Sequence, residues 1–170
     1  DKTILDPCVG KCPFPVVIYE KLMCGLKDKY PNEEMRRKHI LEDLLYFADI
    51  NPLNVYISKF ILDPFDEYKL NYFIGDTLKL AFDVKFNLVI GNPPYNGTGG
   101  TGTGNTIWQE FVKKALNMWL GENGYLVYVH PSGWRKPCYN KSQLKQIIKE
   151  ELSKVLNEQQ EIDEESIYNK

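Results

Sequence analysis

Residues 86–105 read FNLVIGNPPYNGTGGTGTGN, and the fold turns on the first ten of them. Phe86 to Gly91 is a short apolar run, the pattern of a buried strand. Asn92-Pro93-Pro94-Tyr95 ends it, because proline has no N–H for a ladder and its ring fixes φ. The glycine, threonine and asparagine that follow predict a loop. Gly97, Gly99 and Gly102 match GxGxxG literally. A dinucleotide loop, however, must follow its strand directly and be answered about 20 residues later by an acid at a strand end. Here five residues intervene, and the acid at that distance, Glu122, falls in the turn GENG. A Walker loop fails as well, since no Gly-Lys-Ser/Thr follows.

Outward from this stretch, strand and helix patterns alternate. KTILD (2–6), LLYFADI (44–50), KLNYFIGD (69–76) and YLVYVH (125–130) read as further strands. FPVVIYEKLMCGL carries Val16, Ile18, Tyr19, Leu22 and Met23 at helical spacing, with Pro15 in the first turn. EEMRRKHILED follows Asn32, a plausible N-cap, and PLNVYISKFIL follows Asn51. TIWQEFVKKALNMWL sets Ile107, Trp108, Phe111, Val112, Ala115 and Trp119 on one face. SQLKQIIKEELSKVLN aligns Leu144, Ile147, Ile148, Leu152 and Val155 as a closing helix. The alternation predicts an α/β fold: a mainly parallel sheet with right-handed crossovers and helices on both faces. In such sheets ligands bind beyond the carboxyl ends of the strands. The segments DPCVGKCPF, DINP, GDTL, NPPYN and HPSGW are therefore where a site is expected.

The chain has 170 residues, 43% hydrophobic and 26% charged, which suits one domain with a real core. It divides into a core over residues 1–157 and an acidic, frayed tail over 158–170. Residues 1–149 carry net +3 and residues 150–170 net −5; the acidic end reads as a solvated helix end. No run approaches a membrane span and no signal peptide is present, so a soluble, cytoplasmic protein is expected. Cys8, Cys12, Cys24 and Cys138 include no CxxC pair, and His39 and His130 stand at no matching spacing. Free thiols and no metal are expected.

Two strand ends suggest a nucleoside. Asp49, at the end of the second strand, is placed to accept from ribose hydroxyls, and the turn after the first strand offers Gly10 for close approach. Asn-Pro-Pro-Tyr suits a harder task, that of activating an exocyclic amine conjugated to an aromatic ring. Such an amine is a poor nucleophile because its lone pair is delocalised. The Asn92 side-chain oxygen and the Pro93 carbonyl can hold both amine hydrogens, which favours a tetrahedral nitrogen with its lone pair aimed at an electrophile. The Pro-Pro step fixes that carbonyl, and Tyr95 offers a flat face for an extruded base.

These motifs, in this order, resemble the S-adenosylmethionine-dependent adenine-N6 DNA methyltransferases of restriction–modification type. The resemblance runs over nearly the whole chain to about residue 137 and implies a Rossmann-like methyltransferase core. ILDPCVGKCPFPVVIYEKL is similar to the family's cofactor loop, which implies that Asp6 and the Gly10 turn face the methionine moiety and Phe14 backs it. YFADINPLN implies Asp49 on the ribose hydroxyls and Ile50 against adenine. NYFIGDTLKL implies Asp76 at the cofactor's adenine amino group. NPPY is the catalytic tetrapeptide, which implies Asn92, Pro93 and Tyr95 as catalytic residues, and GYLVYVHPSGWR implies Trp134 near the target pocket. Cys12 stands where the family often has a second glycine. About five of the family's seven strands are legible. The resemblance thus implies a partial catalytic core acting on a flipped adenine, with a DNA-recognition domain elsewhere and a partner or further segment completing the sheet.

Asn-Pro-Pro-Tyr also serves methyltransferases of protein glutamine and of guanine in RNA; DINPLN and HPSGW favour DNA adenine. An alternative of another class is a catalytically silent methyltransferase-like part of a larger assembly. Cys12, the missing strands and the acidic tail favour it, and the intact Asn-Pro-Pro-Tyr opposes it.

Overall fold

Each apolar run becomes a strand of one sheet: β1 (Ile4–Asp6), β2 (Leu45–Asp49), β3 (Asn71–Ile74), β4 (Phe86–Gly91) and β5 (Leu120–Tyr128). The computed structural model describes residues 2–97 and 106–131. Among them the strand order is β3-β2-β1-β4-β5, and every pair is parallel. β1 is central, with Ile4 registered against Leu45 on one side and Leu88 on the other.

Four helices connect the strands: α1 (Pro13–Gly25), α2 (Glu33–His39), α3 (Pro52–Leu62) and α4 (Trp108–Lys114). α2 and α4 each run on into a π-helical turn, Ile40–Leu44 and Ala115–Trp119. The starts follow from capping chemistry. Asn32 Oδ1 accepts the Met35 N–H at 2.9 Å, and Asn51 Oδ1 accepts the Leu53 N–H at 3.0 Å. Each asparagine satisfies one of the N–H groups a helix start leaves without a partner.

The period-two alternation of the central strand divides the core between the two faces of the sheet. Ile4 joins Val9, Cys12, Leu45, Phe47 and Val55, with α1 and α3 packed on that face. Leu5 joins Phe86, Val89, Phe111, Ala115 and Trp119 on the other. There Phe82 meets Phe86 and Trp119 edge-on, with ring centroids 5.3 and 6.1 Å apart. Both faces of the parallel sheet thus carry helices, as its apolar strands require.

One strand begins earlier than its sequence suggests. Leu120 already pairs with Phe86, but the next partner of β4, Leu88, pairs with Tyr125. The residues between form an excursion, with Asn123 at φ 59°. GENG is a turn, but it lies within the span of β5 and not ahead of it. An excursion of this kind leaves extra residues unpaired while the ladder resumes beyond them.

Residues 1–130 form one compact unit. The closing helix, the boundary at 157 and the acidic tail lie outside the described residues. No helix among the described residues is long and apolar enough to cross a membrane.

Candidate active site

Strand order reverses between β1 and β4, so their carboxyl ends flank the crevice where ligands bind in open α/β sheets. A cleft of about 330 Å³ opens there. Its walls bring together five of the residues singled out from sequence: Gly10, Asp49, Ile50, Asp76 and Asn92. Pro7, Cys8, Thr77, Pro94, Ile107 and Phe111 complete the lining.

Asp49 organises one side. Its Oδ2 accepts the Gly10 N–H at 2.9 Å, and its Oδ1 accepts the Asn51 N–H at 2.8 Å. The carboxylate therefore draws in the turn after β1 and supports the start of α3. An ionised carboxylate has about four lone-pair directions, so both oxygens keep one for a ligand. Ile50, next in sequence, is exposed beside it. At the tip of β3, Asp76 Oδ1 accepts the Leu78 N–H at 3.2 Å, and its Oδ2 lies 3.1 Å from the Lys79 ammonium. Two bonds lock these tips together. The Gly75 N–H donates to the Asp49 carbonyl at 3.0 Å, and the buried Thr77 Oγ1 donates to the Pro7 carbonyl at 2.8 Å.

Asp6 stands behind the wall, 1% exposed. Its Oδ1 accepts the Cys8 N–H at 3.1 Å, and its Oδ2 has no hydrogen-bond partner among the described residues. Burial pushes its carboxyl up to about 7, the Cys8 N–H opposing the rise and the Asp49 carboxylate adding to it. Burial also raises the Cys8 thiol, with Asp6 and Asp49 adding to the effect. Tyr128, at the end of β5, is raised likewise by burial, then by Cys8 and Asp6. A cationic ligand in the cleft would favour the ionised form of Asp6.

The turn after β1 shows what cysteine does at the second glycine position. Cys12 sits at φ 69°, in the left-handed region that glycine enters without strain. Its side chain is fully buried in the core under α1 and α3. Phe14, in the first turn of α1, is half-buried and is not among the residues lining the cleft.

Across the cleft, β4 delivers Asn-Pro-Pro-Tyr. A Cβ on Gly91 would lie 2.9 Å from Asp6 Oδ1 and 3.2 Å from Cys8 Sγ, so glycine is what lets β4 pass this close to β1. The end of β4 is held by the Val129 N–H, which donates to the Gly91 carbonyl at 3.0 Å. Asn92 is exposed and Pro93 buried; Tyr95 is 40% exposed. The Tyr95 hydroxyl donates to Asn92 Oδ1 at 3.1 Å. The segment's root is held by the Ile107 N–H, which donates to the Tyr95 carbonyl at 3.1 Å, and by an antiparallel bridge from Asn96 to Thr106. At the end of β5, His130 stacks on Trp108 with centroids 4.7 Å apart and planes 3° from parallel. Residues 98–105 and Trp134 lie outside the described residues.

Sequence reasoning missed Cys8 and Thr77. Each is the small residue next but one to, or next to, a strand-end acid, Asp6 and Asp76 respectively, and that adjacency was the available signal. Among the described residues no group of three or more His, Cys, Asp or Glu side chains could hold a metal ion. Carboxylates on two strand tips and an exposed apolar wall fit a positively charged nucleoside.

Residues 63–162 match the model of a family described as Eco57I restriction-modification methylase. A Mycoplasma pneumoniae protein, named an uncharacterized adenine-specific methylase, is 33% identical over 122 residues; the match covers 64% of this chain and 26% of that protein. Among solved structures, the EcoKI M protein of a type I restriction enzyme superposes with a TM-score of 0.52 at 15% identity, over 69% of this chain and 27% of that one. A chain from a type I R-M system superposes with a TM-score of 0.57 at 20% identity, over 78% of this chain and 28% of that one. The sequence therefore spans little more than a quarter of these relatives.

Proposed function

Because the chain belongs to the Eco57I restriction-modification methylase family, we propose that it carries the catalytic core of an adenine-specific DNA methyltransferase using S-adenosylmethionine. The observation that carries the reading is the placement of Asn-Pro-Pro-Tyr just after β4, across one cleft from Asp49 at the end of β2 and Asp76 two residues beyond β3.

The bound cofactor supplies an electrophilic methyl group on a sulfonium. The chain's residues would do the rest. Asp49 would accept from the ribose hydroxyls with its remaining lone pairs, Ile50 would pack on the adenine, and Asp76 would accept from the adenine's amino group. Gly10 would let the backbone approach the methionine moiety, with Asp6 supplying charge from behind the wall and Phe14 backing the loop. Asn92 Oδ1 and the Pro93 carbonyl would each take one hydrogen of the target amine, turning its lone pair toward the cleft. Tyr95 would stack on the extruded base, and Trp134 would stand near it. Displacement at the methyl carbon would then be direct, the new N–C bond forming as the S–C bond breaks and the excess amine proton passing to solvent, with no covalent intermediate with the protein. The work is intracellular, on DNA, with base-edge readout supplied by parts of the protein beyond this chain.

The test is chemical. Unmethylated DNA incubated with the protein and the cofactor is digested to nucleosides and resolved by mass spectrometry. N6-methyladenine is expected; methylated guanine in an RNA control, or methylglutamine in a protein control, would assign the same site to another conjugated amine.

A further inference from the structure

The Asn92 carboxamide must present oxygen, not nitrogen, to the target amine. Rotated by half a turn, it would set its NH₂ against the amine's own hydrogens, donor against donor. The two ends of a carboxamide are nearly equal in size, so packing alone discriminates poorly between them. Asn92 is exposed, which leaves solvent free to bond either end. A positioning group is needed.

We propose that the Tyr95 hydroxyl is that group, so that one tyrosine supplies both the stacking face for the target base and the hydrogen bond that orients the acceptor beside it. This rests on the methyltransferase reading above. The hydroxyl donates to Asn92 Oδ1 at 3.1 Å. The oxygen has two lone pairs, so one holds the hydroxyl while the other remains for an amine hydrogen. Contact spacing between stacked carbon rings is about 3.5 Å. An oxygen in the plane of a stacked base can therefore keep this bond, and the base need not displace it.

The tyrosine is fixed well enough to serve. Pro93 and Pro94 stiffen the path between the two residues. The Tyr95 carbonyl takes the Ile107 N–H at 3.1 Å, and the Asn96–Thr106 bridge closes the root one residue on. Below, one residue before Asn92, the Gly91 carbonyl accepts the Val129 N–H at 3.0 Å. The backbone at both ends of the hydrogen bond is anchored, which leaves the carboxamide's own rotation as the freedom the hydroxyl removes. In the open cleft this bond is exposed to water and contributes little. Once a base covers it, water is excluded and the orientation counts.

Tyr95→Phe keeps the ring and removes the hydroxyl; at 40% exposure the side chain is not a core element, so the fold is expected to hold. The first readout needs neither cofactor nor DNA. Side-chain couplings and NOEs of the Asn92 carboxamide, measured by NMR on the labelled 170-residue chain, are expected to report one orientation in the parent and averaging in Tyr95→Phe. The second is transfer to unmethylated DNA, where Tyr95→Phe is expected to lower kcat about five- to tenfold with KM unchanged, the scale of one lost hydrogen bond. Identical carboxamide signals in both proteins, or an undiminished or raised rate in Tyr95→Phe, would overturn the proposal while leaving the methyltransferase reading intact. Failure of the parent to bind the cofactor would instead count against that reading, and the NMR comparison would still decide the orientation.

Discussion

On the β2–β3 side of the cleft, Asp49 holds two backbone N–H groups with its two carboxylate oxygens, and buried Thr77 is tied to Pro7 across 70 residues of sequence. On the β4 side, Asn92 is exposed, and its carboxamide is met by the hydroxyl of a partly exposed tyrosine. The first region is wired before any ligand arrives; the second is anchored in its backbone and open in its side chains. The contrast matches two tasks. A cofactor used in every turnover benefits from a preorganised seat. A base drawn out of a duplex needs an accessible platform and acceptors that act late.

The largest effect that separates the regions is expected from Asn92→Ala. Loss of one preorganised polar partner in a transition state costs about 10²–10³ in rate. Transfer should fall by that much while the cofactor's dissociation constant stays within about twofold, because the residue sits on the open side. Coupled loss of cofactor binding would mean that the two regions are one.

Next comes pH, which tests the charge behind the wall. Asp6 is pushed up to about 7 by burial, whereas in the unfolded chain it titrates near 4. Between those values the unfolded chain has released a proton that the folded one retains, so stability falls as pH rises through this window and levels off above it. Denaturant unfolding of the free protein should show about 2–3 kcal/mol less stability at pH 8 than at pH 5 from this group alone. Asp6→Asn should remove that part of the slope. An unchanged slope would show that the carboxyl is better solvated than its burial indicates.

Smaller, and specific to the seam between the regions, is Gly91→Ala. Its new methyl group would meet Asp6 Oδ1 at 2.9 Å, and overpacking of this kind costs about 1–3 kcal/mol. The thermal midpoint should drop, and transfer should suffer because β4 carries Asn92. The smallest expected effect is that of Thr77→Val, which leaves the buried Pro7 carbonyl without its donor at a cost of about 1 kcal/mol. Thr77→Ser should recover most of the loss; a Val variant more stable than the Ser variant would make the methyl group, not the hydroxyl, the useful part.

The same contrast runs through what the sequence discloses. FNLVIG and LLYFADI announce buried strands because a parallel strand is apolar on both faces, and the asparagines before α2 and α3 announce caps. Asp49, Asp76 and Asn92 are legible because each ends such a strand, and strand ends are where the fold puts ligands. Thr77 and Cys8 are not. Their importance lies in contacts with Pro7 and Gly91, 70 and 83 residues away in sequence, and no local pattern records a partner at that distance. Cys12 is instructive in another way. Sequence marks it as a departure from glycine, but only the backbone shows a left-handed φ with the side chain turned into the core. The excursion in β5 was visible as a turn in GENG, while the pairing of Leu120 before it depends on Phe86 and was not.

The most direct measurement is isothermal titration of the chain with S-adenosylmethionine and with its demethylated product, on the parent and on Asp49→Ala. Removing the carboxylate takes away the expected ribose acceptor and frees the Gly10 and Asn51 N–H groups it holds. Micromolar binding is expected in the parent, weakened by about a hundredfold in the variant, the scale of two lost charge-assisted hydrogen bonds. A folded parent that binds neither compound, or a variant that binds as well as the parent, would contradict the claim that this cleft is a preformed cofactor site.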